Sequence, residues 1–279
     1  MSSQQDIPEY SEPPYTRSEP VDRAKFPFYQ PNINKKLVPE TRQLLEKYSH
    51  VPPEKQSQHV HKIASIPFQA PCKPQRIPVY PEILKRVQAG ELLLDVGCFL
   101  GHDLRRLAYD GAPSTNLYGL DIANHWNVGF ELFRDQSHFG AHFIEADILS
   151  ESDSALLALK GKVDIVSALQ VIHQWDWEGQ VKAAKVLATF TKPGSLVVGN
   201  SIGNSKAQEV TLKSIGVPMY RQNPESFEKL WIQVGNETGT KWETQAWLRS
   251  FEEMSFDPKD HAWMEDGVAM LEFSVRRTE

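Results

Sequence analysis

The sequence predicts an α/β protein: a mostly parallel sheet with helices on both faces, preceded by an N-terminal helical cover. Three observations lead there. Residues 91–101 form an apolar run (Leu92, Leu93, Leu94, Val96) that ends in two glycines, Gly97 and Gly101. Leu104, Leu107 and Ala108 follow at i, i+3 and i+4, the spacing of one helix face. Further short apolar runs come at intervals that fit βαβ units, several of them closing on an acid or an amide. Strand, glycine turn and helix make the place where an open α/β sheet binds a nucleotide-like ligand, at the carboxyl end of the strand.

Taken in order, residues 1–35 carry Pro8, Pro13, Pro14 and Pro20 among Ser, Glu and Tyr. That composition suits a flexible arm, with Phe26-Pro27-Phe28-Tyr29 as a docking patch. Residues 36–90 read as a helical cover. Pro39-Glu40-Thr41 opens a helix with Leu44, Leu45 and Tyr48, Pro52-Pro53-Glu54 a second with Val60 and Ile63, and Tyr80-Pro81 a third with Ile83, Leu84 and Val87. Residues 91–279 form the core. After the 91–101 strand and turn come strand candidates at 116–121, 141–146, 163–169 and 195–199. Phe227, Leu230, Trp231 and Val234 mark a late helix. Residues 268–275 read as a last strand candidate.

The bounds narrow the function. With 279 residues the chain can bury a full core. Thirty basic against 36 acidic side chains give a net charge of −6, which argues against a nucleic-acid surface. No run reaches the roughly 18 apolar residues of a membrane span. The polar start of the chain and its two cysteines, Cys72 and Cys98, point to the cytoplasm. No Cys/His cluster has zinc spacing, and His59 and His61, two apart on a helix, make a poor ligand pair. The expectation is no metal, no nucleic acid and no membrane span. The oligomeric state stays open, a homodimer being one option.

The glycine turn is the first chemical signal. Gly97 lets the backbone turn sharply and approach a ligand, and Asp95 places a carboxylate inside a strand end where it needs a reason to exist. The Gly97-to-Gly101 spacing does not fit the G-x-G-x-x-G dinucleotide fingerprint, and no P-loop string exists. The turn resembles the first motif of class I S-adenosylmethionine methyltransferases, acid-x-Gly-x-Gly-x-Gly, with Phe99 in place of the middle glycine. Asp121 lies 24 residues beyond Gly97 (121 − 97), the spacing at which a βαβ unit offers a carboxylate to ribose hydroxyls; a helix-capping Asp is the alternative. The resemblance implies a Rossmann-like sheet of seven strands, mostly parallel, and S-adenosyl-L-methionine as cofactor. It places Asp95, Gly97, Cys98 and Gly101 at the glycine loop, and Asp121 with Ile122 at the ribose. Asp147 falls at the adenine amino group with Ile148 against the ring, and Gln170 beside the transferable methyl. For Asp147 a turn role is the alternative.

Longer stretches narrow the resemblance. Residues 39–49 and the Pro71-Cys72 step are similar to fungal methyltransferases of meroterpenoid gene clusters. So are 110–114 with Tyr118-Gly119, 130–135, 216–221, 239–243 and 263–267. This covers residues 36–279. It implies transfer of a methyl group to the carboxyl of a hydrophobic, farnesylated, dimethylorsellinate-type aromatic acid. Residues 74–81 depart from the family pattern, which puts the acceptor in question.

Elementary chemistry sets the roles. A carboxylate acceptor, with a pKa of about 4, is already ionised and needs no base, whereas a phenol near 10 needs one. His173 is therefore a base for a phenol, a donor orienting a carboxylate, or a structural residue. Trp175 and Trp177 are cation-stabilising faces, acceptor walls or core. Tyr29, Tyr48, Trp175, Met219, Tyr220 and Trp231 are nominated for the acceptor wall, with core packing as the competing fate. Phenol methylation, a non-methylating isomerase or cyclase on the same fold, and a pure interaction protein are the other readings.

Overall fold

The computed structural model describes residues 37–63, 78–150, 153–211, 216–254, 256 and 261–279. In chain order, the helices are α1 (Pro39–Gln43), α2 (Gln56–Ile63), α3 (Tyr80–Gln88), α4 (His102–Tyr109), α5 (Trp126–Phe133), α6 (Ser154–Ala158), α7 (Trp177–Phe190) and α8 (Pro224–Thr238). The strands are β1 (Leu93–Val96), β2 (Leu117–Asp121), β3 (His142–Glu145), β4 (Val163–Leu169), β5 (Thr191–Asn204), β6 (Gln208–Thr211), β7 (Pro218–Arg221), β8 (Trp242–Arg249) and β9 (Val268–Arg277). The chain forms two compact units. The described residues up to 63, with 125–139, make one; 78–124 and 140–279 make the other.

The larger unit is built on a seven-stranded sheet of order β3-β2-β1-β4-β5-β9-β8. β1 to β5 run parallel, and β9 and β8 are antiparallel additions. All four residues of β1 are buried, the continuous burial expected of a strand covered on both faces. The chain winds outward through β2 and β3, then returns to place β4 on the other side of β1. A crevice opens beyond the carboxyl ends of strands at such a reversal. Leu94, Val166, Val197, Phe227, Trp231 and Phe273 belong to one buried cluster. Gly199 of β5 fits this packing because a Cβ there would lie 2.2 Å from the Ala168 carbonyl oxygen.

α3 belongs to this unit, where the sequence reading had grouped it with the N-terminal cover. Its buried face carries Ile83 and Val87, and Arg86 donates to Glu91 (2.6 Å) and to the Gly194 carbonyl (3.2 Å). β5 runs past the expected Gly199 to Asn204, because β9 pairs with it over Leu196–Asn204. The small β6–β7 hairpin was not foreseen, and Met219 and Tyr220 lie on it.

In the smaller unit, α1 passes into a π-helical turn, Leu44–Tyr48, with Leu44 and Leu45 buried. The Tyr48 hydroxyl donates to Asp135 at 2.9 Å. His59 Nε2 lies 2.8 Å from the Leu132 carbonyl, an acceptor, so it donates there. Burial lowers the His59 pKa. The arm at 1–35, with Tyr29, and residues 74–77 of the 74–81 segment lie outside the described residues.

Candidate cofactor and acceptor site

The site is built where β1, β2 and β4 end. Asp95 is buried beneath the turn, 3% exposed, beside Ser167 of β4, its register partner, whose hydroxyl bonds to it. Burial raises the Asp95 pKa, and the neighbouring Asp103 raises it further. Asp103, in the first turn of α4, is raised by burial as well. His102 Nε2 stands 3.2 Å from Asp103 Oδ2, and burial depresses the His102 pKa to about 4. The floor of the turn is thus a buried pair of acids, each with a raised pKa, beside an imidazole whose pKa is depressed.

The turn rests on β2. Gly97 and Cys98 both donate backbone N–H to the Leu120 carbonyl, at 2.7 and 3.2 Å. Gly97 adopts φ +71°, and a Cβ there would meet Val171 Cγ2 at 2.4 Å. Phe99, in place of the family's middle glycine, also takes a left-handed conformation, φ +48°. Its N–H donates to Asp121 Oδ2 at 2.8 Å, while Ala123 N–H donates to Oδ1 at 3.3 Å. Gly101, left-handed at φ +66°, leads into α4, and Cys98 is buried.

The other acids and amides behave differently. Asp147 is exposed, and its Oδ1 accepts the Leu149 N–H at 2.9 Å, closing a turn. Ile148 is buried in the core cluster rather than presented at the surface, whereas Ile122 is 69% exposed beside Asp121. Gln170 is strained at φ +59°. Its amide donates to Asn200 Oδ1 at 2.7 Å and lies 3.0 Å from Met270 Sδ, so it braces β4 against β5 and β9.

Beyond Gln170 a short turn, Ile172–Gln174, carries His173. Its Nδ1 is fully covered and has no partner among the described residues. Burial, and then the Arg221 charge, lower the His173 pKa to about 3. β7 is held against this turn. Tyr220 N–H donates to the Trp175 carbonyl at 2.8 Å, and the buried Gln180 amide donates to the carbonyls of Trp175 (2.9 Å) and Tyr220 (2.7 Å). Trp175 and Trp177 pack on the core cluster, and Trp177 meets Tyr220 edge-on at 5.3 Å. Met219 is buried, and Trp231 lies in the core itself. Asp95, Gly97, Cys98, Gly101, Asp121, Gln170 and His173 thus gather at adjoining strand ends, with Met219 and Tyr220 close by on β7. Ser167, Val171, Asn200 and Arg221 were not singled out by the sequence. Their signal is positional, arising only once strand register is known.

These residues suit a sulfonium nucleoside. Asp121 spends one lone pair on each oxygen and keeps acceptor capacity for a ribose diol. Exposed Ile122 offers an apolar face to a purine, and the glycine turn leaves room where a Cβ would collide.

The sheet order and the strand-end site are those of the class I methyltransferase fold, whose cofactor is S-adenosylmethionine. A family model for the meroterpenoid methyltransferase N-terminal domain matches residues 28–69. O-methyltransferase phiE from Fungal sp. is 35% identical over 246 residues, covering 82% of this chain and 81% of that protein. The Asnovolin E/Chermesin D methyltransferase nvfJ of Aspergillus novofumigatus is 34% identical over 253 residues, covering 85% and 88%. The chain belongs to the fungal methyltransferases of meroterpenoid clusters. Among solved structures, the [4+2]-cyclase SpnF shares the fold at a TM-score of 0.53 and 15% identity, over 71% of this chain and 79% of that one. Among the described residues, no helix is long and apolar enough to cross a membrane.

Proposed function

We propose that this methyltransferase forms a methyl ester on the carboxylate of a hydrophobic, farnesylated aromatic acid of the dimethylorsellinate type. The observation that carries the reading is geometric: His173 Nδ1 is covered and without a partner among the described residues, on the turn that β7 packs against, and burial with the Arg221 charge lowers its pKa to about 3. A base that weak does not draw the proton from a phenol near pKa 10, and a carboxylate has no proton to lose. A neutral imidazole can still orient an acceptor by hydrogen bonding. The family model's description, a meroterpenoid methyltransferase N-terminal domain, supports a meroterpenoid acceptor, and the relatives' names support O-methylation and methylation of Asnovolin E/Chermesin D-type molecules.

When bound, the cofactor would supply an electrophilic methyl group that the carboxylate oxygen could take, with the thioether sulfur as leaving group. The chain's own contribution is placement. Asp121 holds the ribose hydroxyls, the Gly97–Gly101 turn lets the backbone approach, and Ile122 covers the purine, with Asp147 at its amino edge. Gln170 fixes the strand end nearest the transfer, and Trp175, Met219 and Tyr220 wall the acceptor. Orientation of this kind contributes roughly 7–11 kcal/mol to catalysis.

The test is incubation with S-adenosylmethionine and a farnesylated orsellinate-type acid, followed by mass spectrometry. The expected product gains one methyl and is hydrolysed by mild base, as an ester is. An alkali-stable phenyl ether would overturn the reading. The rate should stay flat from about pH 6 to 9, because neither His173 nor the acid titrates there; a rise with pH would indicate a phenol.

A further inference from the structure

Arg221 closes β7 with its guanidinium almost fully buried, 2% exposed. Nε donates to Glu265 Oε1 at 2.7 Å. Nη1 is covered and has no partner among the described residues. A guanidinium does not lose its proton, so this N–H cannot be silenced by titration. Native proteins rarely leave a buried charged donor unsatisfied, since doing so forfeits its hydration for nothing. The second orphan, His173 Nδ1, lies on the turn that β7 packs against, and the Arg221 charge reaches the imidazole.

We propose that Arg221 Nη1 binds one oxygen of the acceptor's carboxylate, with His173 beside it, and so makes the enzyme prefer the free acid to its methyl ester. This deepens the proposed function and rests on it. The geometry has two consequences. A charge-assisted N–H···O bond fixes one carboxylate oxygen and leaves the other free to attack the methyl group. Methylation then removes the negative charge, so the product loses its hold on Arg221 and dissociates. The partner, Glu265, is a single carboxylate engaged through Nε, and the guanidinium fork retains donors for a second one.

The experiment measures binding of a farnesylated orsellinate-type acid and of its methyl ester, both with S-adenosylhomocysteine bound. Wild type, Arg221→Gln, Arg221→Lys and Glu265→Gln are compared. Wild type is expected to favour the acid by about 10- to 100-fold. Arg221→Gln should erase that preference, with ester binding and S-adenosylhomocysteine binding within about twofold of wild type. Arg221→Lys keeps a cation opposite Glu265 and serves if the Gln variant fails to fold; it should lose most of the preference with the fork. Glu265→Gln leaves the guanidinium in place and should keep the preference. Acid preference retained in both Arg221 variants would overturn the proposal, as would its loss in Glu265→Gln, which would make Arg221 a structural ion-pair partner. If wild type methylates the acid while these outcomes appear, this inference alone fails; if wild type methylates only a phenol, the proposed function fails first.

Discussion

Gly97 shows how one atom decides a site. Its φ of +71° disfavours a side chain, and Val171 Cγ2 occupies the space a Cβ would need, 2.4 Å away. Gly97→Ala should cost about 2 kcal/mol in urea unfolding and weaken S-adenosylhomocysteine binding at least tenfold by calorimetry. Adding Val171→Ala removes the collision but not the strained φ, so the double variant should recover part of the loss, a coupling that independent sites would not show. Asp121→Ala should weaken the same ligand severely with little change in unfolding, and near-normal binding would refute its ribose role. Beneath the turn, two opposing proton linkages meet. Burial raises the Asp95 and Asp103 pKa values, so the folded state holds protons that the unfolded chain releases above about pH 4. Their contribution is present at low pH and is lost as pH rises through the folded values. His102, depressed to about 4 from 6.5, works the other way: its contribution is present above pH 6.5 and is lost as pH falls towards 4. Asp95→Asn should therefore shrink the drop in urea midpoint between pH 6 and pH 9.

Elements inherit these local decisions. α8 starts with a reciprocal cap: the Asn223 side chain accepts from Ser226 N–H at 2.9 Å, and Ser226 Oγ accepts from Asn223 N–H at 3.0 Å, with Pro224 at the first helical position. Asn223→Ala should cost about 1 kcal/mol, read by thermal or urea unfolding. Among strands, β1 and β4 were legible because parallel, doubly covered strands read as near-continuous apolar runs, whereas the partly exposed edge strand β3 was marked by its βαβ spacing and the acids that follow it. The far end of β5 was not, since Ser201 to Asn204 read locally as loop and become strand only by pairing with β9. β6, with Gln208 and Glu209, has no apolar run to announce it. The site divides likewise. Asp95, Gly97 and Asp121 stood out by type and spacing, whereas Ser167 beside Asp95, Val171 over Gly97 and Arg221 near His173 depend on register and long-range packing.

At the scale of the whole molecule, the fold narrows the chemistry without fixing it, for a cyclase shares it at low identity. Ligand binding should also report on the two compact units separately. S-adenosylhomocysteine at a hundred times its Kd should stabilise the transition that includes the sheet by about 2.7 kcal/mol. A calorimetric scan in which only an earlier or later transition moved would place the ligand elsewhere. The position of β9 in the sheet carries a further consequence, for synthesis in the cell. β9 sits between β5 and β8, yet 63 residues, 205 through 267 (267 − 204 = 63), separate it from the end of β5. A ribosome adding about 5–20 residues per second needs roughly 3–12 s to make them. Throughout that interval the Leu196–Asn204 edge of the nascent sheet has no partner, and unpaired apolar edges recruit other chains. Newborn copies should therefore depend on chaperones more than their finished stability suggests, and translation that stalls before Val268 should yield insoluble protein.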